Sequence, residues 1–491
     1  MKTTNLPTHK LSKLSLLVVS AMLSACSMGP EYQVPDLEID SSYSKQQANQ
    51  IDNQQTVTAG WWHQFNDPIL NSLVEQAQQQ NLNIKMAANR IQAAQAYRSA
   101  VASFKVPTVS LGGGYTSYQL SKNGPLTGPA FGIDNPISGG QLDLLERQNG
   151  GFFAGANVSW EMDLFGRINK QVSAAEIRGE QAKIYHQGMH TLVSAEIVNN
   201  YLQYRGAQQR IAIAKRNISE QETVLKLVKS LTSSGYGSEL DVAKAQSALA
   251  LSRAALPQLN SAENVHLNRI ALVLGQSPSQ LTAQLAEPQK LPTFNGLIPV
   301  GLPSDLLTQR PDISIAEREM AAVNQELAAT VVSNYPRFFL TGGPGLSAKN
   351  FDDLFKADSG AWLASVGVQW TLFDGGRHEA MVEMQQQRFN NSALHYQQSV
   401  NSAFIEVETM LMAYGNSQEF ASNIEQASAQ ADLALSKADS LYRAGLIDHL
   451  AVLDAQRQQN LLEDAQILAK LQTANTIVGL HKSLGGDWSL N

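Results

Sequence analysis

The stretch FFAGANVSWEM, residues 152–162, decides the fold class because its side chains alternate between two kinds. One face is mainly apolar and the other mainly small or polar: Phe152, Ala154, Ala156, Val158, Trp160 and Met162 against Phe153, Gly155, Asn157, Ser159 and Glu161. This period of two indicates a β-strand with one apolar face. The stretch WLASVGVQWTL, residues 362–372, repeats the alternation at an offset of 210. The chain therefore contains two copies of one amphipathic strand.

Two further strands are expected just before these, around Val109–Leu111–Gly113–Tyr115 and Phe338–Leu340–Gly342. About eleven residues tilted by about 45° cross a bilayer's hydrocarbon core, and aromatic side chains suit its interfaces. Trp160 and Trp370 are thus expected at the periplasmic rim. Four strands cannot close a barrel, whereas twelve from three chains can. The pattern predicts a trimeric transmembrane β-barrel, although a soluble sandwich edge explains any one strand equally well.

The alternating stretches belong to a duplication that covers most of the chain. At an offset of 210, Gly235 falls on Gly445 and Leu240 on Leu450. Upstream the offset is 229, and the 19 additional residues fall in the Gly- and Pro-rich stretch 120–151 of the first copy. Each copy reads as helix, strand, loop, strand, long helix, turn and helix. The order indicates a mixed, mainly α fold built from two structural repeats.

The helices are expected to form a wall. The opening helix is predicted from about Pro68 to Phe104, and the long helices from about Arg167 to Ser233 and from about His378 to Arg443. At about 1.5 Å per residue each long helix measures about 100 Å. Ala, Gln, Ser and Asn dominate these helices, and small side chains let helices approach closely on both flanks. A globular bundle would need one broad apolar stripe instead. A long α-helical barrel continuing the β-barrel follows.

The N-terminus predicts the compartment. Three lysines precede a short apolar stretch that ends in Leu23, Ser24, Ala25 and Cys26, the only cysteine of the chain. This pattern is typical of a lipoprotein signal in which Cys26 is acylated, and Ser27 favours the outer membrane over the inner one. Removal of the signal changes the formal net charge from −7 to −10, which argues against a nucleic-acid partner.

The sequence predicts six segments. They are the signal peptide 1–25, the lipid-anchored segment 26–65, the first repeat 66–277, a Pro-rich equatorial linker 278–302, the second repeat 303–485 and the tail 486–491.

Four stretches together carry a family resemblance. They are Cys26-Ser27-Met28-Gly29-Pro30-Glu31-Tyr32; Trp61-Trp62 with Phe65 and Asp67-Pro68; Leu302-Pro303-Ser304-Asp305-Leu306-Leu307 with Arg310-Pro311-Asp312-Ile313; and Phe373-Asp374-Gly375-Gly376-Arg377. The chain resembles the TolC-type outer membrane factors, in the lipoprotein branch that serves resistance-nodulation-division efflux pumps. The resemblance implies a twelve-stranded barrel continued by a periplasmic helical tunnel. It also implies passive conduction of drugs or other small molecules, with a periplasmic adaptor (membrane fusion protein), an inner-membrane pump and outer membrane lipid as partners of a homotrimer.

The turns between paired helices are predicted to form the periplasmic tip that docks the adaptor. The docking residues are Ser234, Gly235, Gly237, Ala444, Gly445 and Leu446. A plain helix–helix turn is the alternative, since glycine suits either.

A gate is predicted beside the second turn. Leu450 and Asp454 lie four residues apart and so share one helix face. The resemblance implies that each forms a ring of three that closes the tunnel, and that Tyr442 and Asp241 hydrogen-bond to hold the tip closed. The alternative is that Leu450 packs in the wall and Asp454 is solvated. Ile447 and Ala451 replace an Arg and a second acid of some members, so fewer ionic locks are expected.

No catalytic set emerges, so we expect neither an enzyme nor a cofactor. His186 and His190 have the spacing of a helical metal pair, but no third ligand is evident nearby. Two other classes stay open: an adhesive coiled-coil lipoprotein, and a channel serving protein secretion. Neighbouring genes for an adaptor and a pump would distinguish them.

Overall fold

The computed structural model describes residues 29–37, 39–44, 51–52, 60–134, 137, 139–294 and 296–486. The strands are β1 Ile51–Asp52, β2 Thr108–Gln119, β3 Ile133–Asp134, β4 Gln141–Leu142, β5 Gln148–Met162, β6 Ile298–Pro299, β7 Arg337–Ala348 and β8 Gly360–Gln369. The α-helices are α1 Pro68–Gln80, α2 Leu82–Ala102, α3 Arg167–Ser233, α4 Glu239–Leu274, α5 Pro278–Leu285, α6 Leu306–Gln309, α7 Pro311–Val332, α8 Arg377–Arg443 and α9 His449–Ser483.

These elements form two compact units, each drawing on both copies of the duplicated sequence. The first unit contains Gln95–Ile177 and Ala321–Asn390, together with the described residues up to Gln33. The second contains Val34–Ala94, Arg178–Met320 and the described residues from Asn391 onward. Equivalent parts of the two copies are therefore grouped together, and α3 and α8 each contribute to both units.

The first unit contains a four-stranded antiparallel sheet in the order β2-β5-β7-β8. All four predicted strands are present. The last of them was predicted to continue to residue 372 but ends at Gln369, because its partner β7 begins at Arg337, which pairs with Gln369. Conversely, β5 begins at Gln148, ahead of the predicted stretch, because β2 extends to Gln119 and pairs with it.

The two long helices, α3 and α8, each have 67 residues, and the duplication places the first and last residues of α3 on those of α8. The boundaries predicted for α3 are confirmed, and α8 starts at Arg377, just before the predicted His378. No helix in the described ranges combines the length and the apolar character needed to span a bilayer.

The opening helix is not continuous as predicted: Asn81 divides it into α1 and α2. The Asn81 backbone leaves the helical region with ψ near 130°. Its side-chain oxygen accepts hydrogen bonds from the backbone N–H groups of Asn83 and Ile84, at 2.8 and 3.1 Å, which caps α2. Its amide donates to the carbonyl of Val273 at 2.7 Å. The break is therefore stabilised by a contact distant in sequence.

The predicted equatorial linker contains regular structure. It begins with the short helix α5, and its later residues Ile298 and Pro299 pair in parallel with Ile51 and Asp52. The segment is thus joined to the N-terminal part of the chain by β1–β6 pairing.

The second unit encloses a buried arginine. Arg205 is fully buried and donates from Nη1 to Gln208 Oε1 and to the carbonyl of Glu287, both at 2.8 Å. Its Nε donates to the Tyr201 hydroxyl at 3.1 Å, and that hydroxyl donates to Asp67 Oδ2 at 2.7 Å. Asp67 also caps α1 through Oδ1. This network satisfies most of the polar groups that burial removes from water, and it links α1, α3 and the segment after α5.

Candidate functional site

The first helix–helix turn is built by local backbone chemistry. Gly235 adopts a left-handed conformation with φ 79°, and the N–H of Tyr236 donates to the carbonyl of Leu231 at 2.9 Å. This is the Schellman arrangement that ends a helix. The next helix starts at once, because the Ser238 hydroxyl accepts from the Asp241 N–H at 3.2 Å. The Asp241 carboxylate accepts from the Ser238 N–H in return, which completes a capping box.

The second turn repeats this geometry at the equivalent place in the other copy. Gly445 has φ 72°, the N–H of Leu446 donates to the carbonyl of Leu441 at 2.9 Å, and Asp448 caps α9 by accepting from Ala451 at 3.0 Å. Ser238 and Asp448 are thus the N-cap residues of α4 and α9. Both turns are fixed by short-range bonds and present the same backbone surface.

Space around the turn glycines is open. A Cβ added at Gly235 or Gly445 would meet no heavy atom within 4 Å, whereas one at Gly237 would lie 2.7 Å from Thr232 Oγ1. Gly237 therefore serves internal packing, while Gly235 and Gly445 face free volume.

Exposed apolar side chains sit directly beside these glycines. Tyr236 is 85% exposed and its counterpart Leu446 is 71% exposed. In many Schellman turns the residue at this position packs back on its own helix. Tyr236 was not among the predicted docking residues, although its place after the turn glycine, equivalent to that of Leu446 in the other copy, could have indicated it. The two turns offer paired apolar groups to solvent.

Three helices meet behind the turns in one small core. Val224 and Val228 of α3 and Ala245 of α4 are buried together, and Leu453 of α9 packs against them. The two helix hairpins are thereby joined close to their turns.

The predicted gate residues lie on α9 and around the turns. Leu450 is half-exposed, as expected for a side chain that does not pack within its own chain. Asp454 accepts a hydrogen bond from Arg457 Nη2 at 2.5 Å, in an ion pair one helical turn long. Arg457 was not predicted from the sequence, although its position three residues after Asp454 on a helix could have indicated the ion pair. The Asp454 carboxylate, which was predicted to form an acidic ring, is therefore paired with the Arg457 guanidinium on the same helix.

The structure does not bring Tyr442 and Asp241 into a hydrogen bond within the described part of one chain. Asp241 Oδ2 accepts from both the hydroxyl and the N–H of Ser238, at 2.6 and 3.2 Å. These bonds from Ser238 hold the pKa of Asp241 below its ordinary value. Tyr442 instead packs against His449, with ring centroids 4.9 Å apart. A latch between Tyr442 and Asp241 would have to join different chains.

The predicted interface aromatics occupy equivalent positions in the sheet unit. The Trp160 indole N–H donates to the carbonyl of Lys105 at 3.0 Å, and that of Trp370 to the carbonyl of Asn334 at 3.1 Å. The two acceptors are themselves equivalent under the duplication, so both copies hold their tryptophan in the same way. The apolar face of β8, including Trp362 and Val366, is exposed in one chain. A face of this kind suits lipid or a partner better than water.

Two other predictions concern possible ligand chemistry. Cys26 lies outside the described residues. The rings of His186 and His190 lie edge to face with centroids 5.0 Å apart, and the described residues contain no cluster of three potential metal ligands.

Comparison with known proteins gives consistent matches along the chain. The family model described as outer membrane efflux protein matches residues 73–276 and 302–486. The toluene efflux pump outer membrane protein TtgF of Pseudomonas putida is 29% identical over 98% of this chain and 97% of its own. The cation efflux system protein CusC of Escherichia coli is 27% identical over 97% and 99%. The solved structure of the outer-membrane channel OprN is 32% identical, with a TM-score of 0.82 over 94% of this chain and 100% of that one.

Proposed function

This chain belongs to the outer membrane efflux protein family, and from that premise we propose that it is the lipid-anchored, trimeric exit duct of a tripartite efflux system. The function is that of an outer membrane efflux channel, as its relatives are named. The finer proposal is that three copies form one conduit. A periplasmic adaptor docks on its helix turns, and an inner-membrane pump supplies the energy.

The observation that carries the proposal is the incomplete sheet. Among the described residues of one chain, its edge strands β2 and β8 are each paired on one side only, and both strands are exposed along their whole length. Long unpaired edges are avoided by proteins that remain monomeric. Three copies would supply twelve strands and leave no edge, and the exposed apolar face would then meet hydrocarbon.

Docking is supported by the paired turns. Two turns with the same backbone geometry each present one exposed apolar side chain, Tyr236 or Leu446. A partner that inserts helices between them would bury these side chains, at about 25 cal/mol per Å² of apolar area removed from water. The adaptor could open the tip if it binds the open arrangement more tightly.

Selectivity is proposed to reside outside this chain. Relatives of nearly equal identity are named for toluene and for cations. Since such different cargoes share one channel type, the pump and adaptor are the components that choose the compound.

Anchoring is proposed at Cys26. Mass spectrometry of the mature N-terminus should find a lipid-modified Cys26, and an unmodified N-terminus elsewhere contradicts it. Cys26→Ser behind a cleavable signal should remove the lipid and leave trimers assembled, because the barrel itself holds the protein in the membrane.

Deletion of the gene in its native host tests the function. The deletion strain should accumulate fluorescent dyes, solvents or metal ions from a panel that the parent strain exports, and the plasmid-borne gene should restore export. The proposal would be contradicted if a strain that lacks this chain and the other channels of the family still exported every compound in the panel as well as the parent strain does.

A further inference from the structure

The four strands of the large sheet carry very little charge. Among all the Asp, Glu, Lys and Arg residues of the chain, only Glu161 in β5 and Arg337 in β7 lie in these strands. Glu161 lies next to the last residue of β5, shortly before α3 begins at Arg167. Arg337 is the first residue of β7, shortly after α7 ends at Val332. Both charges therefore lie at the end of the sheet where the helices join it.

Both charged side chains lie on the polar face of the sheet. Glu161 is directly opposite Phe339 in the ladder, and directly opposite residues share a face. Phe339 lies two residues after Arg337 in β7, so these two also share that face. Under the proposed function the opposite, apolar face meets hydrocarbon. The face with Glu161 and Arg337 would then line the lumen of the barrel.

Two guanidinium groups share the single carboxylate of Glu161. Arg337 donates from Nη2 to Oε2 at 2.5 Å and from Nε to Oε1 at 3.2 Å. Arg167 donates from Nη2 to both carboxylate oxygens at 3.0 Å. Two positive charges thus meet one negative charge, so the cluster of Glu161, Arg167 and Arg337 has a surplus of one positive charge.

The acid nearest in sequence is engaged elsewhere. Asp163 accepts hydrogen bonds from the backbone N–H groups of Ile168 and Asn169, at 2.9 and 2.7 Å. A carboxylate in this place offsets the partial positive charge at the start of a helix. Asp163 therefore compensates α3, and the surplus of the cluster remains.

The cluster presents its positive charge to the surface. The side chain of Arg337 is 40% exposed, whereas that of Glu161 is 14% exposed. The Arg337 guanidinium also lies over the Phe339 ring, 5.0 Å from its centroid, which holds it in place. The whole chain has 43 acidic and 36 basic residues, so this local surplus opposes the overall charge.

The duplication shows that a strand can begin here without a charge. Its offsets place Glu161 on Thr371 and Thr108 on Arg337. Thr108 begins β2 and pairs regularly with Ser159 of β5. The charged side chains are therefore an addition made in one of the two copies, and regular strand pairing does not depend on them.

We propose that Glu161, Arg167 and Arg337 form an anion-accepting site in the lumen, at the helix end of the barrel, which favours passage of compounds with carboxylate, phosphate or sulfate groups. The inference rests on the trimeric channel of the proposed function and adds a charge preference to it. A trimer would place three such clusters around one lumen, where their fields add. Arginine suits this role because its planar fork matches the geometry of oxyanions. The pump and adaptor still choose the compound, and the cluster changes how readily a charged compound leaves.

Block of single channels by long-chain inorganic polyphosphate tests the site. The polymer is added to the chamber opposite the one that received the protein, because the large helical part stays on the side of addition. From there it reaches the barrel without crossing the helix turns. Arg337→Gln leaves Glu161 and Arg167 as a neutral pair, so the half-blocking concentration should rise about tenfold at low salt. Added salt should weaken the block of the wild type.

Matched controls separate charge from shape. Arg337→Lys keeps the positive charge without the fork and should keep most of the block, whereas a purely structural clamp would be lost in both variants. Thr108→Arg adds a guanidinium to the same face, so polyphosphate should block it at a lower concentration. This variant keeps the test decisive if Arg337→Gln does not assemble. Polyethylene glycol, a neutral polymer, should block all variants alike.

The outcomes distinguish the two proposals. Conducting wild-type trimers that polyphosphate blocks no better than Arg337→Gln or Thr108→Arg trimers would overturn the anion site and leave the channel standing. Equal loss of block in Arg337→Gln and Arg337→Lys would also overturn it. Folded wild-type trimers that carry no current would overturn both the channel and the site.

Discussion

At the scale of single residues, charge near the turns sets what the proposed gate does to ions. Asp454 is paired with Arg457 at 2.5 Å, and both side chains are mostly exposed. One ring of three carboxylates without counter-charges would attract cations strongly, but three ion pairs are nearly neutral at a distance and screened by salt. The wild-type constriction should therefore have only weak ion preference.

Removing one partner at a time tests this. Arg457→Gln should raise the permeability of K⁺ relative to Cl⁻, Asp454→Asn should lower it, and the double variant should return near wild type. Reversal potentials in a KCl gradient across a planar bilayer give the ratios. Arg443→Gln removes the same charge from the similar pair with Asp439 on α8 and serves as the control. Identical reversal potentials in all variants would place the constriction elsewhere.

A buried histidine determines how the second unit responds to acid. His481 is fully buried, stacks on Trp61 with ring centroids 4.5 Å apart, and has no hydrogen-bond partner for either ring nitrogen among the described residues. Burial lowers its pKa from 6.5 to about 3. As the pH falls from about 6.5 towards 3, the unfolded chain binds a proton that the folded chain refuses. Stability is therefore present above this window and is lost within it.

His481→Phe keeps an aromatic ring against Trp61 and removes the titration. Between pH 6.5 and 4.5 the wild type should lose up to about 1.4 kcal/mol per pH unit more than the variant, while the two respond alike above pH 7.5. Denaturant unfolding followed by helical circular dichroism measures the difference. Parallel curves across the whole range would show that His481 does not titrate as its burial dictates.

At the scale of elements, the helix turns are the parts most directly determined by local sequence. Gly235 and Gly445 have positive φ and open space around the missing Cβ, so side chains there would project into solvent without clashing. The strain of a left-handed conformation for a non-glycine residue is about 1–2 kcal/mol. That is small beside the packing of two 67-residue helices.

Bulk at these glycines should block docking and leave assembly intact. Gly235→Leu with Gly445→Leu should abolish export in the native host while trimers form normally in detergent. Gly235→Ala with Gly445→Ala carries the same backbone strain with little bulk, so it should keep most export. Full export by the leucine variant would refute the docking role, and loss of export by both variants would point to strain instead.

Structural features that depend on interactions between residues close in sequence could be predicted. Features that depend on contacts distant in sequence could not. The caps at Ser238 and Asp448 follow from side chains within three residues of the bonds they make. The break at Asn81 depends on Val273, and the end of β8 depends on where β7 begins. Within one chain Asp241 accepts its hydrogen bonds from Ser238 and not from Tyr442, so the Tyr442–Asp241 latch stays a prediction for contacts between chains.

At the scale of the whole molecule, the duplication explains both what one chain completes and what it leaves open. Two copies of one hairpin form a sheet with an internal seam, and the same seam repeated between chains would close a ring. Under the proposed function, a conduit through that ring would conduct passively, and the proposed gate residues Leu450 and Tyr442 would set its resting state.

Single-channel recording of the purified trimer in planar lipid bilayers shows whether three copies of this chain form a gated conduit. Wild type should insert as discrete, long-lived channels of small unit conductance, and Leu450→Ala with Tyr442→Phe should raise the unit conductance because it removes the apolar ring and the tyrosine at the constriction. Folded trimers that carry no current, in the wild type and in this variant alike, would show that the assembly is not a conduit.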